Sequence, residues 1–214
     1  MLQYVTDASS QRSVEDQIKE ALSAGCTWIT IDPAGMTDDA IRTLVASIMP
    51  ECLEKQAFLI LKDKVDLAKE INVGGVVLSQ GSEFPSHARM ALGAAAVIGV
   101  EVASADQIAS LKGLDVDYVV MTPYKSAEGS DTKVLGIDTI KKLCSYMEEN
   151  GMELPRVAAG GVTYDDIAPL MDAGCNGVAM SEALANAPDF RAETEKAIAL
   201  LKIYEEKEQA KLNS

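Results

Sequence analysis

Short apolar runs alternate with longer amphipathic stretches along most of this chain. Runs rich in β-branched residues are typical of buried strands, and apolar residues at helical spacing are typical of helices that cover a sheet. The alternation occurs eight times. The predicted strands are residues 2–6, 28–31, 57–61, 75–78, 97–100, 118–121, 157–159 and 178–180.

Start and stop signals for helices stand between these runs. Ser13, with Asp16 three residues later, resembles a capping box, and Gly25 is a stop signal. Thr37 opens a second helix, which Pro50 is expected to close. The other predicted helices cover residues 64–71, 85–92, 105–111, 137–150 and 164–173, and a last one begins near residue 189.

Eight strand-then-helix units predict an α/β protein with the TIM (β/α)8 barrel fold, as a single domain over residues 1–214. The alternative is an open, doubly wound sheet. No G-x-G-x-x-G follows the first strand, which disfavours a dinucleotide fold. Residues 205–214 are expected to be a charged tail, solvated or frayed.

The net charge of the chain limits the classes of partner that it is expected to bind. A formal net charge of −14 disfavours nucleic acid and anionic membrane, since phosphate binding needs clustered cations. No apolar run has the length of a membrane span, and we expect a cytoplasmic protein. The four cysteines lie far apart in sequence and are expected to be buried free thiols.

The active site of a (β/α)8 barrel forms where its strands end. Gly160 and Gly161 end the seventh strand, and Ser181 ends the eighth, before a helical segment. Glycines let a phosphate approach backbone N–H groups, and a helix start supplies more of them. We therefore predict a phosphate site here, against the alternative of an ordinary glycine turn.

A long polar loop follows the sixth strand. Lys133 in this loop can place a point charge on a phosphate, with the hydroxyls of Ser130 and Thr132 donating beside it. The alternative is a solvated loop without a ligand. His87 is predicted to lie on the surface of a helix and to have no catalytic role.

Five segments carry a resemblance to the thiamine phosphate synthase/TenI family over nearly the whole chain. They are LQYVTD, SAGCTWITI, LKDKVDLAKEINVGGVVLSQ, TPY…SDTK and RVAAGGV…DAGCNGVAMSEAL. The resemblance implies a TIM barrel that is often dimeric. It implies one of two reactions: the joining of an aminopyrimidine pyrophosphate to a thiazole phosphate with Mg²⁺, or aromatisation of the thiazole phosphate. The family's thiazole phosphate ligands match Ser130, Thr132, Lys133, Gly160, Gly161 and Ser181.

The pyrophosphate half of the family pattern is altered. Its Gln-Leu-Arg-x-Lys after strand 2 reads TIDPA here, so two cations are missing and Asp32 takes the place of one. Its Asn-Asp-Arg reads Lys62-Asp63-Lys64, which leaves Asp63 as the metal-ligand candidate and two lysines as replacement cations. The second metal aspartate is replaced by Ser82, and the strand 5 histidine of the tautomerases by Ala103.

Four acidic residues are predicted at or just past strand ends: Asp7, Asp32, Asp63 and Glu101. One hypothesis is an acidic half-mouth that suits a metal or an amine-bearing ligand. The alternative is that Asp7 and Asp32 cap turns. The resemblance implies a thiamine phosphate synthase-like enzyme that binds a phosphorylated small molecule, with Mg²⁺ as a cofactor. The alternatives are an enzyme on another phosphorylated substrate and a non-catalytic binding or regulatory relative.

Overall fold

The computed structural model describes residues 1–126 and 133–212. Eight parallel strands close into a barrel in sequence order, because β1 pairs with β8 as well as with β2. This confirms the predicted TIM barrel and excludes the open sheet. The strands are β1 Leu2–Val5, β2 Trp28–Ile31, β3 Phe58–Lys62, β4 Gly75–Leu78, β5 Val97–Val102, β6 Tyr118–Met121, β7 Arg156–Ala158 and β8 Gly177–Met180.

Helices follow the strands and form the outer layer of the barrel. A 3-10 turn at Tyr164–Asp166 precedes the seventh helix. The helices are α1 Val14–Ser23, α2 Asp38–Glu54, α3 Val65–Glu70, α4 Pro85–Leu92, α5 Ala105–Ser110, α6 Gly136–Glu149, α7 Ile167–Asp172, α8 Glu182–Ala185 and α9 Phe190–Leu212. None of the described helices is both long and apolar enough to cross a membrane.

Side-chain caps begin several helices where the sequence predicts them. The hydroxyl of Ser13 accepts from the N–H of Asp16, and that of Thr37 accepts from Ala40. The expectation that Pro50 closes α2 is wrong, since the helix continues to Glu54. A proline inside a helix costs about 3 kcal/mol. Ile48 and Cys52, buried on either side of it, favour helix over the whole span.

The barrel has two apolar layers. The inner one fills the barrel with Ile60, Val77, Tyr118, Val120, Val157 and Ala179. The larger one lies between strands and helices and contains all four cysteines, which are buried and free as predicted. Gly99 makes room for the ring of Tyr118, because a Cβ on Gly99 would lie 2.3 Å from the ring atom Cζ.

Two strands end later than predicted, and both changes matter for the site. β3 extends to Lys62 and β5 extends to Val102, which places Glu101 inside a strand. Successive side chains of a strand point to opposite faces. Ile60 faces into the barrel, so Lys62 points to the same side one layer higher. At the other end of the chain, the charged tail is helical up to Leu212.

Candidate functional site

A cleft of about 1180 Å³ opens at the C-terminal ends of the strands. This is the end of the barrel at which the strand-end reasoning places a site. Seven of the predicted site residues line the cleft. They are Asp7, Asp32, Lys62, Glu101, Gly160, Gly161 and Ser181.

The two glycines after β7 form one wall of this cleft. Gly160 has a φ of +89° and Gly161 a φ of +66°, a left-handed conformation that glycine adopts without strain. A Cβ on Gly160 would lie 2.9 Å from the Cα of Pro123, so the backbone passes close to the loop after β6. Two successive glycines have no side chains to cover their backbone N–H groups, which gives an anion access to them.

Ser181 follows β8 and lines the same cleft. Helix α8, which begins at the next residue, has only four residues. The macrodipole of so short a helix is small, so backbone N–H groups and the Ser181 hydroxyl are the main donors here. Glu182 and Glu193 also line this side and add negative charge.

Three of the predicted phosphate ligands belong to the loop after β6. Ser130 and Thr132 lie outside the described residues. Lys133 is described, is exposed, and does not belong to the cleft-lining set. Its predicted contact with a phosphate stays a prediction.

Lys62 occupies the opposite wall, between two carboxylates. Its Nζ lies 3.3 Å from Oε1 of Glu101 and 3.5 Å from Oδ2 of Asp32. Burial lowers the pKa of Lys62, but the two carboxylates outweigh burial and raise this pKa above its ordinary value. Burial raises the pKa of Glu101, and the ammonium of Lys62 offsets only part of that increase.

Three other predicted charged residues, Lys64, Asp63 and Asp7, contact partners other than Lys62. Lys64 pairs with Asp38 at 2.8 Å and is outside the cleft-lining set. The two carboxylate oxygens of Asp63 accept bonds from the N–H and the hydroxyl of Ser79, each at 2.8 Å. Asp7 accepts from Ser9, and its second oxygen is buried with no hydrogen-bond partner in the described chain.

The donor set does not fit a resident Mg²⁺. Magnesium requires oxygen ligands that converge on one point. Within residues 1–126 and 133–212, no group of three or more acidic, histidine or cysteine side chains is placed to hold a metal ion. Asp32 and Glu101 share Lys62, whereas Asp63 turns to Ser79. The four predicted acidic residues therefore do not form a single metal site.

A polar network forms the floor of the cleft, and the sequence analysis did not single it out. The side-chain amide of Gln3 donates to the hydroxyls of Thr30 and Tyr118, at 2.7 and 3.1 Å. Burial raises the pKa of Tyr118, so its hydroxyl stays protonated. Alternation along β1 and β2 could have identified Gln3 and Thr30 from the sequence, since every second side chain of a barrel strand points into the barrel.

A second missed feature supports the glycine wall. Nζ of Lys125 lies 2.6 Å from Oδ1 of Asp166, and Thr163 donates to Asp166 through both its N–H and its hydroxyl. The N–H of Lys125 also donates to the carbonyl of Gly160. The glycine loop is thus held from two sides. His87, in contrast, is exposed on α4 and contacts Glu83, as predicted for a surface residue.

Comparison with known proteins gives a consistent result. A sequence model of the family described as "Thiamine monophosphate synthase" matches residues 2–184. Thiamine-phosphate synthase of Bacteroides fragilis is 31% identical over 197 residues, covering 91% of this chain and 97% of that protein. Its counterpart in Bacteroides thetaiotaomicron is 31% identical over 204 residues, covering 94% and 98%.

A solved structure shares the fold. Thiamine phosphate pyrophosphorylase from Pyrococcus furiosus superposes with a TM-score of 0.83 at 22% identity, covering 95% of this chain and 96% of that one. The match of the family model extends over most of the chain, and relatives above 30% identity cover nearly all of it. This protein therefore belongs to the thiamine monophosphate synthase family.

Proposed function

We propose that this chain binds a phosphorylated small molecule of the thiazole phosphate or thiamine phosphate type, and acts as a thiamine phosphate synthase-like transferase with reduced or altered activity. The observation that carries the proposal is the pair Gly160 and Gly161. Both have positive φ at the end of β7, in the cleft that Ser181 also lines. In barrels of this kind, the loops after strands 7 and 8 commonly bind phosphate.

The phosphate would be held mainly by backbone N–H groups and hydroxyls, with no cluster of cationic side chains around it. Backbone N–H groups of the glycine loop bind oxygens of the anion, and the Ser181 hydroxyl donates one further hydrogen bond. Ser130, Thr132 and Lys133 complete the proposed set, with Lys133 as the point charge. The pair of Lys125 and Asp166 keeps the glycine loop in position.

The wall around Lys62 supports the part of the proposal that concerns altered activity. A synthase of this family must hold a multiply charged pyrophosphate. Lys62 is engaged by Asp32 and Glu101, and Lys64 by Asp38. Each missing charge-assisted contact would cost about 1.5–3 kcal/mol.

The test is a direct assay for product. Purified protein is mixed with the aminopyrimidine pyrophosphate, thiazole phosphate and Mg²⁺, and thiamine phosphate is quantified against a control without protein. In parallel, thiazole phosphate is titrated calorimetrically into wild type, Ser181→Ala and the matched control Ser110→Ala, whose hydroxyl donates to the Gln107 carbonyl on the surface of α5. Loss of one hydroxyl contact is expected to weaken affinity about threefold to tenfold in Ser181→Ala alone.

The outcomes separate the parts of the proposal. Slow product formation together with binding supports the full proposal. Rapid product formation contradicts the altered pyrophosphate side. Binding without any product favours the non-catalytic binding or regulatory relative, a candidate that the pairing of Lys62 also favours. Turnover of a different phosphorylated compound favours the other alternative. Absence of thiazole phosphate and thiamine phosphate binding contradicts the phosphate site.

Three further expectations belong to the proposal. We expect a homodimer, as the resemblance implies, and sedimentation equilibrium will measure the mass of the species in solution. A cytoplasmic location is expected for a biosynthetic enzyme of this class, and fractionation of the source cells tests it. Nucleic acid is not an expected partner, because the net charge of −14 repels a polyanion.

A further inference from the structure

Lys62 is the one cationic side chain among the described residues that line the cleft. It ends β3, and its ammonium lies between Asp32, just after β2, and Glu101 on β5. The three side chains are partly shielded from solvent, with exposed fractions of 28% for Lys62, 29% for Asp32 and 17% for Glu101. Charge interactions between such partly buried groups are screened less than at an open surface.

With all three side chains in their charged forms, this ion triad has a formal net charge of −1. A pyrophosphate entering this wall would have to compete with two carboxylates for one ammonium, and those carboxylates would repel it. Asp7, Glu182 and Glu193 line the same cleft and add to the repulsion. Specificity is often obtained by placing a repulsive group against the wrong ligand.

We propose that Asp32 and Glu101 are specificity-determining residues of this cleft, because they hold Lys62 in an ion triad that rejects a polyanion and accepts a neutral or cationic group. This inference rests on the proposed phosphate site at Gly160 and Gly161. The preferred ligand is then a phosphate monoester whose other end is polar and uncharged or carries a positive charge. The triad lies on the wall opposite the phosphate site.

The proposal differs from a simple loss of cations in one measurable way. A wall that has merely lost its cations stays weak for anions after its carboxylates are neutralised. A wall whose lysine is occupied by carboxylates gains anion affinity, since their removal frees Lys62. The triad therefore predicts a gain of binding, which nonspecific damage to the fold does not produce.

The experiment uses the full chain and inorganic pyrophosphate as the probe, titrated calorimetrically without added metal. The variants are Asp32→Asn, Glu101→Gln, the double variant, and the double variant with Lys62→Met. We expect the double variant to bind pyrophosphate at least about tenfold more tightly than wild type, which corresponds to one charge-assisted contact regained. The added Lys62→Met change is expected to abolish that gain.

Thiazole phosphate, titrated into the same samples, is the internal reference for the glycine wall. If wild type does not bind thiazole phosphate, the proposed phosphate site is wrong. The comparison of pyrophosphate affinities among the variants would still test whether Asp32 and Glu101 occupy Lys62. Asp32→Asn alone carries the test if the double variant does not fold. Three results would overturn the proposal. The first is no gain in pyrophosphate affinity in Asp32→Asn or in the double variant, and the second is a gain that remains after Lys62→Met is added. The third is pyrophosphate binding by wild type that depends on Lys62.

Discussion

Nζ of Lys125 lies 2.6 Å from Oδ1 and 2.8 Å from Oδ2 of Asp166, across 41 residues of sequence. This pair joins the loop after β6 to the turn that follows Gly161. Asp166 is the shielded partner, with 10% of its side chain exposed against 47% for Lys125. The loop that carries the candidate phosphate site therefore depends on a contact outside the cleft.

Replacing Lys125 with methionine is expected to lower the free energy of unfolding. The change leaves Asp166 without its cation, and a charge-assisted bond discounted for exposure is worth about 1 kcal/mol. Urea denaturation measures the effect. The control is Lys19→Met, which removes the exposed pair with Glu15 on α1 and is expected to lower the free energy of unfolding less than Lys125→Met does. Equal losses in the two variants would contradict a special role for Lys125.

Asp166 predicts a pH dependence of stability. Burial raises the pKa of Asp166, but hydrogen bonds from Lys125 and Thr163 outweigh burial and hold the pKa below its ordinary value. A depressed folded-state pKa adds stability above the unfolded value, which is about 3.9, and that stability is lost as the pH falls through the folded value. The free energy of unfolding of Asp166→Asn should therefore decrease less than that of wild type as the pH falls, which makes the acid limb of its stability curve flatter.

The matched control for this pH measurement is Asp165→Asn, because Asp165 is the exposed neighbour in the same turn. Urea unfolding is measured for wild type and both variants from neutral pH down to acid pH. The acid limb should stay unchanged in Asp165→Asn. An Asp166→Asn curve parallel to wild type would show that Asp166 makes no such contribution.

Substitution of Gly160 by alanine is expected to damage the phosphate wall. The left-handed conformation costs an alanine about 1 kcal/mol, and the approach of its Cβ to Pro123 adds a steric cost of about 1–3 kcal/mol. Gly113→Ala is the control, since Gly113 also has positive φ but its Cβ would meet nothing within 4 Å. Gly160→Ala should unfold at a lower temperature and bind thiazole phosphate more weakly than Gly113→Ala. Equal stability and affinity would contradict the crowded backbone at Gly160.

Lys133 is expected to contribute one point charge to the bound phosphate. Lys133→Ala should weaken thiazole phosphate affinity by about tenfold or more, as loss of one charge-assisted contact requires. Lys141→Ala on the exposed face of α6 is the control and should leave the affinity unchanged. An unchanged titration of Lys133→Ala would remove this residue from the proposed site.

Local sequence patterns were sufficient to predict the barrel and seven of the residues that line the cleft. Apolar runs and helix caps define the order of the elements, and parallel strands bring their C-terminal ends to one edge. Gly160, Gly161 and Ser181 could therefore be assigned to one cleft from their positions after β7 and β8. Asp32 and Glu101 follow from the same reasoning, because Asp32 comes directly after β2 and Glu101 is the last residue but one of β5.

The partners of these residues could not be read from the sequence. Whether Glu101 meets Lys62 or a metal depends on how the strands are staggered around the closed barrel, and Asp63 is drawn to Ser79 by a local turn at positive φ. The pair of Lys125 and Asp166 likewise requires two loops to meet after the chain has closed. The sequence by itself determined the order and type of the strands and helices, because periodicity is local. Only the tertiary structure decided which charges neutralise one another, because ion pairs form between groups distant in sequence and depend on distances of a few ångströms.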